Sequence, residues 1–279
     1  MSVAASVTAR PLRRGPVRWC GHTLARGALE MRQFVREPQA VIFTFSFPLV
    51  LLLCFGAVFS GTASGTDIPY QQVFVSGIIA AGVMGSSFST LGIGVSMDRS
   101  DGTLKRLRAM PVPWSTYFAG KVLMVLAVTV VQSAVLLAAG ALFYGLRLPG
   151  SPGRWLTFGW VLGLGLVACS LTGLAVASLI RSPRAAPAVV TLPYVVLQFV
   201  SGVFFPFRGL PHVLQNIAAI FPLKWLCQGM RSVFLPDSYL AAEPAHSWEH
   251  GRTALVLAAW ALAAGMLALR AFRRAGQER

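Results

Sequence analysis

Six long apolar stretches without any charged residue constrain the fold of this chain more than any other feature. A helix needs roughly 20 apolar residues to cross the hydrocarbon core of a bilayer, and each stretch approaches that length. The pattern therefore predicts an all-α membrane protein with six transmembrane helices. The stretches are residues 41–59, 73–96, 122–144, 156–180, 187–205 and 253–269.

The charged residues lie between these stretches and divide unequally between the two sides. Only 12% of the chain is charged, whereas soluble domains carry roughly 25%. Of the 24 Lys and Arg residues, 18 fall in the segments on one side of the six spans and six on the other. The positive-inside rule then predicts a multi-pass membrane protein with both termini in the cytoplasm, and we expect its membrane to be the plasma membrane. The same distribution explains the net charge of +15 without nucleic acid.

The stretches divide the chain into a tail with an interfacial helix (1–39), one transmembrane domain (40–272) and a short second tail (273–279). No early apolar region of the signal-peptide type precedes the first stretch, so we expect no cleaved signal. The only Gly-Lys pair, Gly120-Lys121, lacks the flanking residues of a phosphate-binding loop. We therefore predict no catalytic residue, no metal and no cofactor bound by this chain.

The segment before the first span has the periodicity of an amphipathic helix. Between Trp19 and Glu37 apolar residues recur at helical spacing, with Arg and Glu on another face. A basic amphipathic helix beside a span is expected to lie in the plane of the lipid headgroups. The alternative is a solvated part of the tail.

The loop after the second span, residues 97–116, predicts a short cytoplasmic helix. Ser100 or Asp101 can cap its start, and Pro111 prevents its continuation. Such a helix could transmit force between a soluble partner and the spans. The alternative is a positively charged loop that only fixes orientation.

Residues 206–236 are too apolar for a water-exposed loop and too short to cross twice. Four prolines divide them into two short segments that meet at Phe221-Pro222. Irregular backbone at membrane depth is tolerated only where protein or a cavity surrounds it. The sequence predicts a re-entrant outer hairpin, and the alternative is a pair of helices on the outer surface.

Two motifs make a family recognisable. The run from Asp101 to Pro111 resembles the E-x-G-T-L-x-x-L-x-x-x-P motif of ABC-2 type permeases, the membrane subunits of ABC exporters. The Phe205-Pro206 turn, with Phe221-Pro222-Leu223-Lys224-Trp225 after it, resembles the outer hairpin of that family. In size, layout and Ala- and Arg-rich composition the chain is similar to actinobacterial antibiotic-resistance permeases.

The resemblance implies a function and a set of site residues. It implies an exporter that moves an amphipathic drug, antibiotic, lipid or lipid-linked glycan, with ATP and Mg bound by a separate ATPase subunit. It also implies a second permease subunit, identical or a sister, with spans one, two and five facing the path. The residues that would couple to the ATPase are Asp101, Gly102, Thr103, Leu104, Lys105, Arg106, Leu107 and Arg108. Those of the outer gate are Phe204, Phe205, Pro206, Phe221, Pro222 and Trp225.

Three other interpretations compete with a permease. An ion-coupled transporter usually has ionisable residues inside its spans, and these six stretches contain none. A non-transporting membrane scaffold is also compatible with the pattern. The segment from His246 to His250 matches the H-x-x-E-H zinc-protease signature, yet the only later acid, Glu278, is predicted on the opposite side of the membrane.

Overall fold

The computed structural model describes residues 16–59, 61–62, 67–109, 114–180 and 182–277. Within these ranges the chain is helical and contains no strand beyond one isolated bridge between Thr62 and Pro69. The helices are α1 (Pro16–Arg36), α2 (Pro38–Val58), α3 (Tyr70–Met84), α4 (Thr90–Ser100), α5 (Thr103–Ala109), α6 (Trp114–Tyr144), α7 (Pro152–Leu179), α8 (Ala186–Val200), α9 (His212–Ile220), α10 (Pro222–Phe234) and α11 (His250–Gln277).

Six helical segments in the described ranges are long and apolar enough to cross a membrane. This confirms the predicted all-α class with six spans. Several helices are longer than the apolar stretches, because their first or last turns contain polar residues that the stretches leave out. For example, α6 begins at Trp114, whereas the apolar stretch begins at residue 122. The interfacial position of α1 remains a prediction, since the structure contains no bilayer.

The second span is the most buried of the six spanning segments in the described residues. α3 and α4 are joined by a five-residue π-helical turn, Gly85–Ser89, so that one rod runs from Tyr70 to Ser100. Small residues let neighbouring helices approach its backbone closely in lipid. A methyl group added at Gly77 would lie 2.5 Å from the carbonyl oxygen of Val203.

The first, fifth and sixth spans expose apolar side chains around much of their circumference. Without a bilayer this surface would be an aggregation hazard, whereas hydrocarbon solvates it. The exposed residues include Ile42, Phe43 and Val50 on α2, Leu192 and Val196 on α8, and Leu255, Leu262 and Leu269 on α11.

Helices α9 and α10 form a hairpin whose turn lies beside the middle of the sixth span. The indole nitrogen of Trp260 donates to the carbonyl of Ile220 at 2.7 Å, and its ring stacks on Phe221. Trp260 lies ten residues into α11, which corresponds to about 15 Å of helix. Every residue of α10 is buried, although a helix on the membrane surface would expose one face. This geometry favours the re-entrant prediction over surface helices.

Candidate functional sites at the two ends of the bundle

The predicted coupling helix corresponds to α5, which begins at Thr103. The cap prediction was wrong: α4 continues through Ser100, whose hydroxyl donates back to the Met97 carbonyl. Gly102 has a φ of +73°, a conformation that glycine adopts without steric cost. Its carbonyl accepts the first α5 hydrogen bond, from the amide of Arg106 at 3.0 Å. Asp101 and Gly102 therefore form the turn that redirects the chain.

One side of α5 is anchored to the protein's own core. Leu104 is buried, and Leu107 is half-buried against the same apolar cluster. Asp101 and Arg106 are exposed, and Thr103 is half-buried. The side chains of Lys105 and Arg108 lie outside the described residues. The apolar residues of α5 therefore pack within this chain, and only its polar face is left as the predicted contact with an ATPase.

A cluster of buried and half-buried charged residues lies near α5 and joins the three helices α1, α4 and α6. The ammonium of Lys121 on α6 is 2.9 Å from Glu30 on α1 and 2.8 Å from Asp98 on α4. Arg26 pairs with Glu30 at 2.5 Å, and the hydroxyl of Tyr117 donates to Asp98 at 2.5 Å. We call these five residues the inner cluster.

Close helix packing positions the inner cluster. A methyl group at Gly120 on α6 would lie 2.6 Å from the side chain of Arg26, so glycine allows α1 to reach α6. The indole of Trp19 also donates to the hydroxyl of Ser115 at 2.9 Å. The sequence analysis missed this cluster because its members are far apart in the chain. One signal could have indicated it: Glu30 and Asp98 are two of only nine acidic residues in a strongly basic chain, so each has many possible basic partners.

The residues predicted to form the outer gate divide into two aromatic groups. Phe204 is buried and stacks on Phe55 of the first span and packs against Phe199, with centroid distances of 5.0 and 5.2 Å. Phe205 is exposed, and Pro206 is half-buried.

The second group closes the turn between α9 and α10. Trp225 is buried and donates to the carbonyl of Ala219 at 2.7 Å, while Phe221 stacks on Trp260 and Pro222 begins α10. The ammonium of Lys224 lies 3.5 Å from the Trp225 ring centroid and 5.4 Å from that of Phe207, which follows Pro206. One predicted gate residue, Trp225, therefore contacts a buried cation that was not predicted from the sequence.

Four ionisable residues in α10 and in the segment between α10 and α11 are buried as pairs. Arg231 donates to Glu243 at 2.5 Å, and Lys224 lies 4.0 Å from Glu249. Burial opposes the charge of Arg231, but Glu243 more than compensates and raises the pKa of that guanidinium. Burial lowers the pKa of Lys224 to about 8, although Glu249 acts in the opposite direction. These residues lie in α10 and the following turns, outside the six spans.

The H-x-x-E-H segment does not form a helical zinc site. α11 begins at His250, whereas His246 lies in the preceding turn with a φ of +47°. The two imidazoles therefore do not share a helix face. His250 instead forms a hydrogen bond with the hydroxyl of Ser232 at 2.9 Å, which supports the interpretation of this segment as the polar start of the sixth span.

Two comparisons with known proteins match most of this chain. The sequence profile of the family described as ABC-2 type transporter matches residues 24–235, from α1 to the end of the outer hairpin. The chain is also 26% identical over 198 residues to the "Putative transport permease YvfS" of Bacillus subtilis (strain 168), a match that covers 69% of this chain and 77% of the relative. Because the profile spans most of the sequence, this membrane transport permease belongs to the ABC-2 type transporter family.

Proposed function

We propose that this chain is the permease subunit of an ATP-driven exporter and that α5 is the helix through which a separate ABC ATPase subunit moves it. The supporting observation is the packing of α5 against the rest of the chain. Its apolar side is fixed to the core by Leu104 and Leu107, and its polar side presents Arg106, with Asp101 exposed in the turn before it. A helix held in this way transmits a push to the spans, since packed interiors resist compression.

The contacts of α5 define a route for that push. α5 follows directly from α4, the inner end of the rod that continues to Tyr70. Lys121 ties α4 to α1 and α6 through Asp98 and Glu30, so these helices would move as a unit. The π-helical turn at Gly85–Ser89 supplies a point of local adjustment within the rod, as such turns often do at functional sites.

At the other end the rod meets the outer segment. Phe204 and Val203 pack against α2 and α3, and Arg231 donates to the carbonyl of Gly202 at 3.3 Å. Displacement of the rod would therefore change the position of Phe204 relative to the outer hairpin. We propose that this change opens the path outward.

The apolar outer faces of α2 and α8 suit an amphipathic cargo that enters from the membrane. A drug, an antibiotic, a lipid or a lipid-linked glycan has this character. We propose that two permease subunits, identical or sister chains, enclose the path with spans one, two and five facing it. The distribution of Lys and Arg supports a plasma-membrane location with cytoplasmic termini.

The test is co-purification of an ATPase through the exposed face of α5. The tagged protein is purified from its native membrane in mild detergent, and the eluate is assayed for an ABC ATPase and ATP hydrolysis. We expect Arg106→Glu to release the ATPase while the permease stays folded. Arg147→Glu is the matched control, because Arg147 is an exposed arginine in the loop at the other end of the bundle.

The buried leucines of α5 are unsuitable for this test, since Leu104→Asp would damage the permease core. A permease that purifies folded but never with an ATPase would contradict the proposal. That outcome would favour an ion-coupled transporter or a scaffold. Retention of the ATPase by Arg106→Glu would exclude this face of α5 as the docking surface.

A further inference from the structure

An apolar groove of about 650 Å³ opens between the second, fourth, fifth and sixth spans. It lies apart from α5 and the inner cluster, and it shares Phe221 and Pro222 with the predicted outer gate. No charged side chain of the described residues lines it, and its only polar lining side chains are those of Thr172, Ser182 and Trp260. The lining residues that carry the argument are Phe88, Val176, Val189, Phe221 and Trp260.

The groove is about as long as one leaflet of a bilayer. Its lining residues on the α8 side run from Ala185 to Leu197, which corresponds to about 18 Å of helix. The hydrocarbon core is about 30 Å thick, so one leaflet contributes about 15 Å. Phe221, stacked on Trp260, closes the deep end beside the middle of the sixth span. A transmembrane helix of another subunit would need the full thickness, whereas an acyl chain needs one leaflet.

The mouth of the groove carries a positive charge. It is formed by the 3₁₀ turn Pro183–Ala185, where Ser182 and Ala185 line the groove and Arg184 between them is exposed. Arg184 has no ion pair or hydrogen bond with any residue that the structure describes. This mouth lies at the end of the bundle where Lys and Arg are in excess.

A second arginine shapes the mouth without being available to a ligand. Arg99 of α4 donates to the carbonyls of Ser178 and Ile180 at the end of α7. These bonds satisfy carbonyls that a helix end leaves without partners. Arg99 thereby fixes the end of α7, and Arg184 is the exposed cation at the mouth among the residues that the structure describes.

We propose that this groove binds one acyl chain of an anionic phospholipid from the leaflet at the basic end, with the lipid phosphate on Arg184. Lipid hydrocarbon surrounds the groove in a membrane, and the length of the groove fits a single acyl chain. The charge of Arg184 selects an anionic headgroup, as basic pockets between transmembrane helices do. The site does not depend on export or on ATP, because it rests only on the groove and its mouth.

The test uses the fluorescence of Trp260, which lines the deep end. The full-length protein is placed in nanodiscs of phosphatidylcholine that contain increasing amounts of phosphatidylglycerol brominated on its acyl chains, since bromine quenches tryptophan on contact. A parallel series uses brominated phosphatidylcholine. The signal of Trp260 is the difference between the wild-type protein and Trp260→Phe.

We expect phosphatidylglycerol to quench Trp260 at about a fivefold lower mole fraction than phosphatidylcholine, as one arginine at a membrane surface would give. Arg184→Gln should remove this preference and leave quenching by both lipids, while Arg36→Gln on α1 should keep it. Val189→Phe should fill the groove and reduce quenching by either lipid. Val196→Phe is its matched control, because both valines are exposed on α8 but only Val189 lines the groove.

Equal quenching by the two lipids in the wild-type protein would overturn the proposal, as would equal effects of Val189→Phe and Val196→Phe. No quenching by either lipid, together with loss of a cross-linked dimer in Val189→Phe, would show that a second copy fills the groove. If Trp260→Phe does not fold, native mass spectrometry of the other variants gives the same decision. From a mixture of the two lipids the wild-type protein should then retain phosphatidylglycerol in preference to phosphatidylcholine, and Arg184→Gln should retain both alike. Equal retention by the wild-type protein would overturn the proposal.

Discussion

Arg231 and Glu243 form a fully buried ion pair that ties α10 to the turn after it. The guanidinium Nε lies 2.5 Å from the carboxylate, and each side chain is only 2% exposed. A second nitrogen of Arg231 donates to the carbonyl of Gly202, which follows α8. One arginine therefore joins the outer hairpin, the end of the fifth span and the segment that leads to the sixth.

Glu243→Gln should strongly destabilise the protein. The substitution keeps the shape of the side chain but leaves the charge of Arg231 buried without a counter-ion. Removal of one partner of a buried pair typically costs about 3–5 kcal/mol. The expected result is a large fall in the midpoint of thermal unfolding of the detergent-purified protein.

Asp237→Asn provides the control for that measurement. Asp237 pairs with Arg154 at 3.4 Å, but its side chain is 74% exposed. Exposed pairs contribute about 0–1 kcal/mol, so the midpoint should barely change. Similar shifts in the two variants would show that burial does not determine the importance of these pairs.

Gly77→Ala should disrupt the packing of the second span against the segment after α8. The added methyl would lie 2.5 Å from the Val203 carbonyl oxygen. This oxygen belongs to the backbone, so it cannot move aside as the end of a flexible side chain could. Overpacking of this kind costs about 1–3 kcal/mol. Differential scanning fluorimetry of the purified variant measures the loss.

Gly163→Ala is the matched substitution for Gly77→Ala. Gly163 also lies within a spanning helix, but nothing is within 4 Å of the position of an added methyl. Alanine favours helix over glycine by up to about 1 kcal/mol, so stability should stay the same or rise. Equal losses at the two positions would contradict the close contact at Val203.

The number of spans was predictable because each depends on local composition. A run of apolar residues such as 122–144 must form a helix in lipid, since every backbone polar group has to be satisfied within the segment. The division of the outer segment at Phe221-Pro222 was predictable for a similar reason. Proline ends and begins helices through its own geometry.

The buried charges were not predictable because they depend on tertiary contacts. Lys121 meets Glu30 across 91 positions of the chain, and no spacing rule connects them. The apolar groove arises from the relative placement of α7, α8 and α11, which single-helix patterns do not contain. The cap of α5 was misplaced because α4 continues beyond the apolar stretch through Ser100, so that the chain turns at Asp101 and Gly102 before α5 begins.

Lys224 predicts a specific pH dependence of stability. Its pKa is lowered to about 8 in the folded protein from an ordinary value of 10.5, because burial disfavours the charged form. Between these values the unfolded chain binds more protons than the folded chain. Stability should therefore rise with pH in this window, by up to about 3 kcal/mol, and show no such slope below it.

Chemical unfolding across this pH range checks the assignment to Lys224. The Lys224→Met variant should lack the rise that the wild-type protein shows, because it has no amine to titrate at this position. A rise of the same size in the variant would assign the effect to another group.

Lys121→Met tests whether the inner cluster holds three helices together. The substitution keeps the length of the side chain but leaves Glu30 and Asp98 without the cation between them, and Arg26 compensates only at Glu30. We expect a loss of about 3 kcal/mol in unfolding free energy. Adding Asp98→Asn to this variant should recover part of the loss, since it removes the carboxylate that Lys121→Met leaves without a cation. Contacting charges in one network couple by about 0.5–3 kcal/mol, so a double variant equal to the sum of the two single variants would show that Lys121 and Asp98 do not interact.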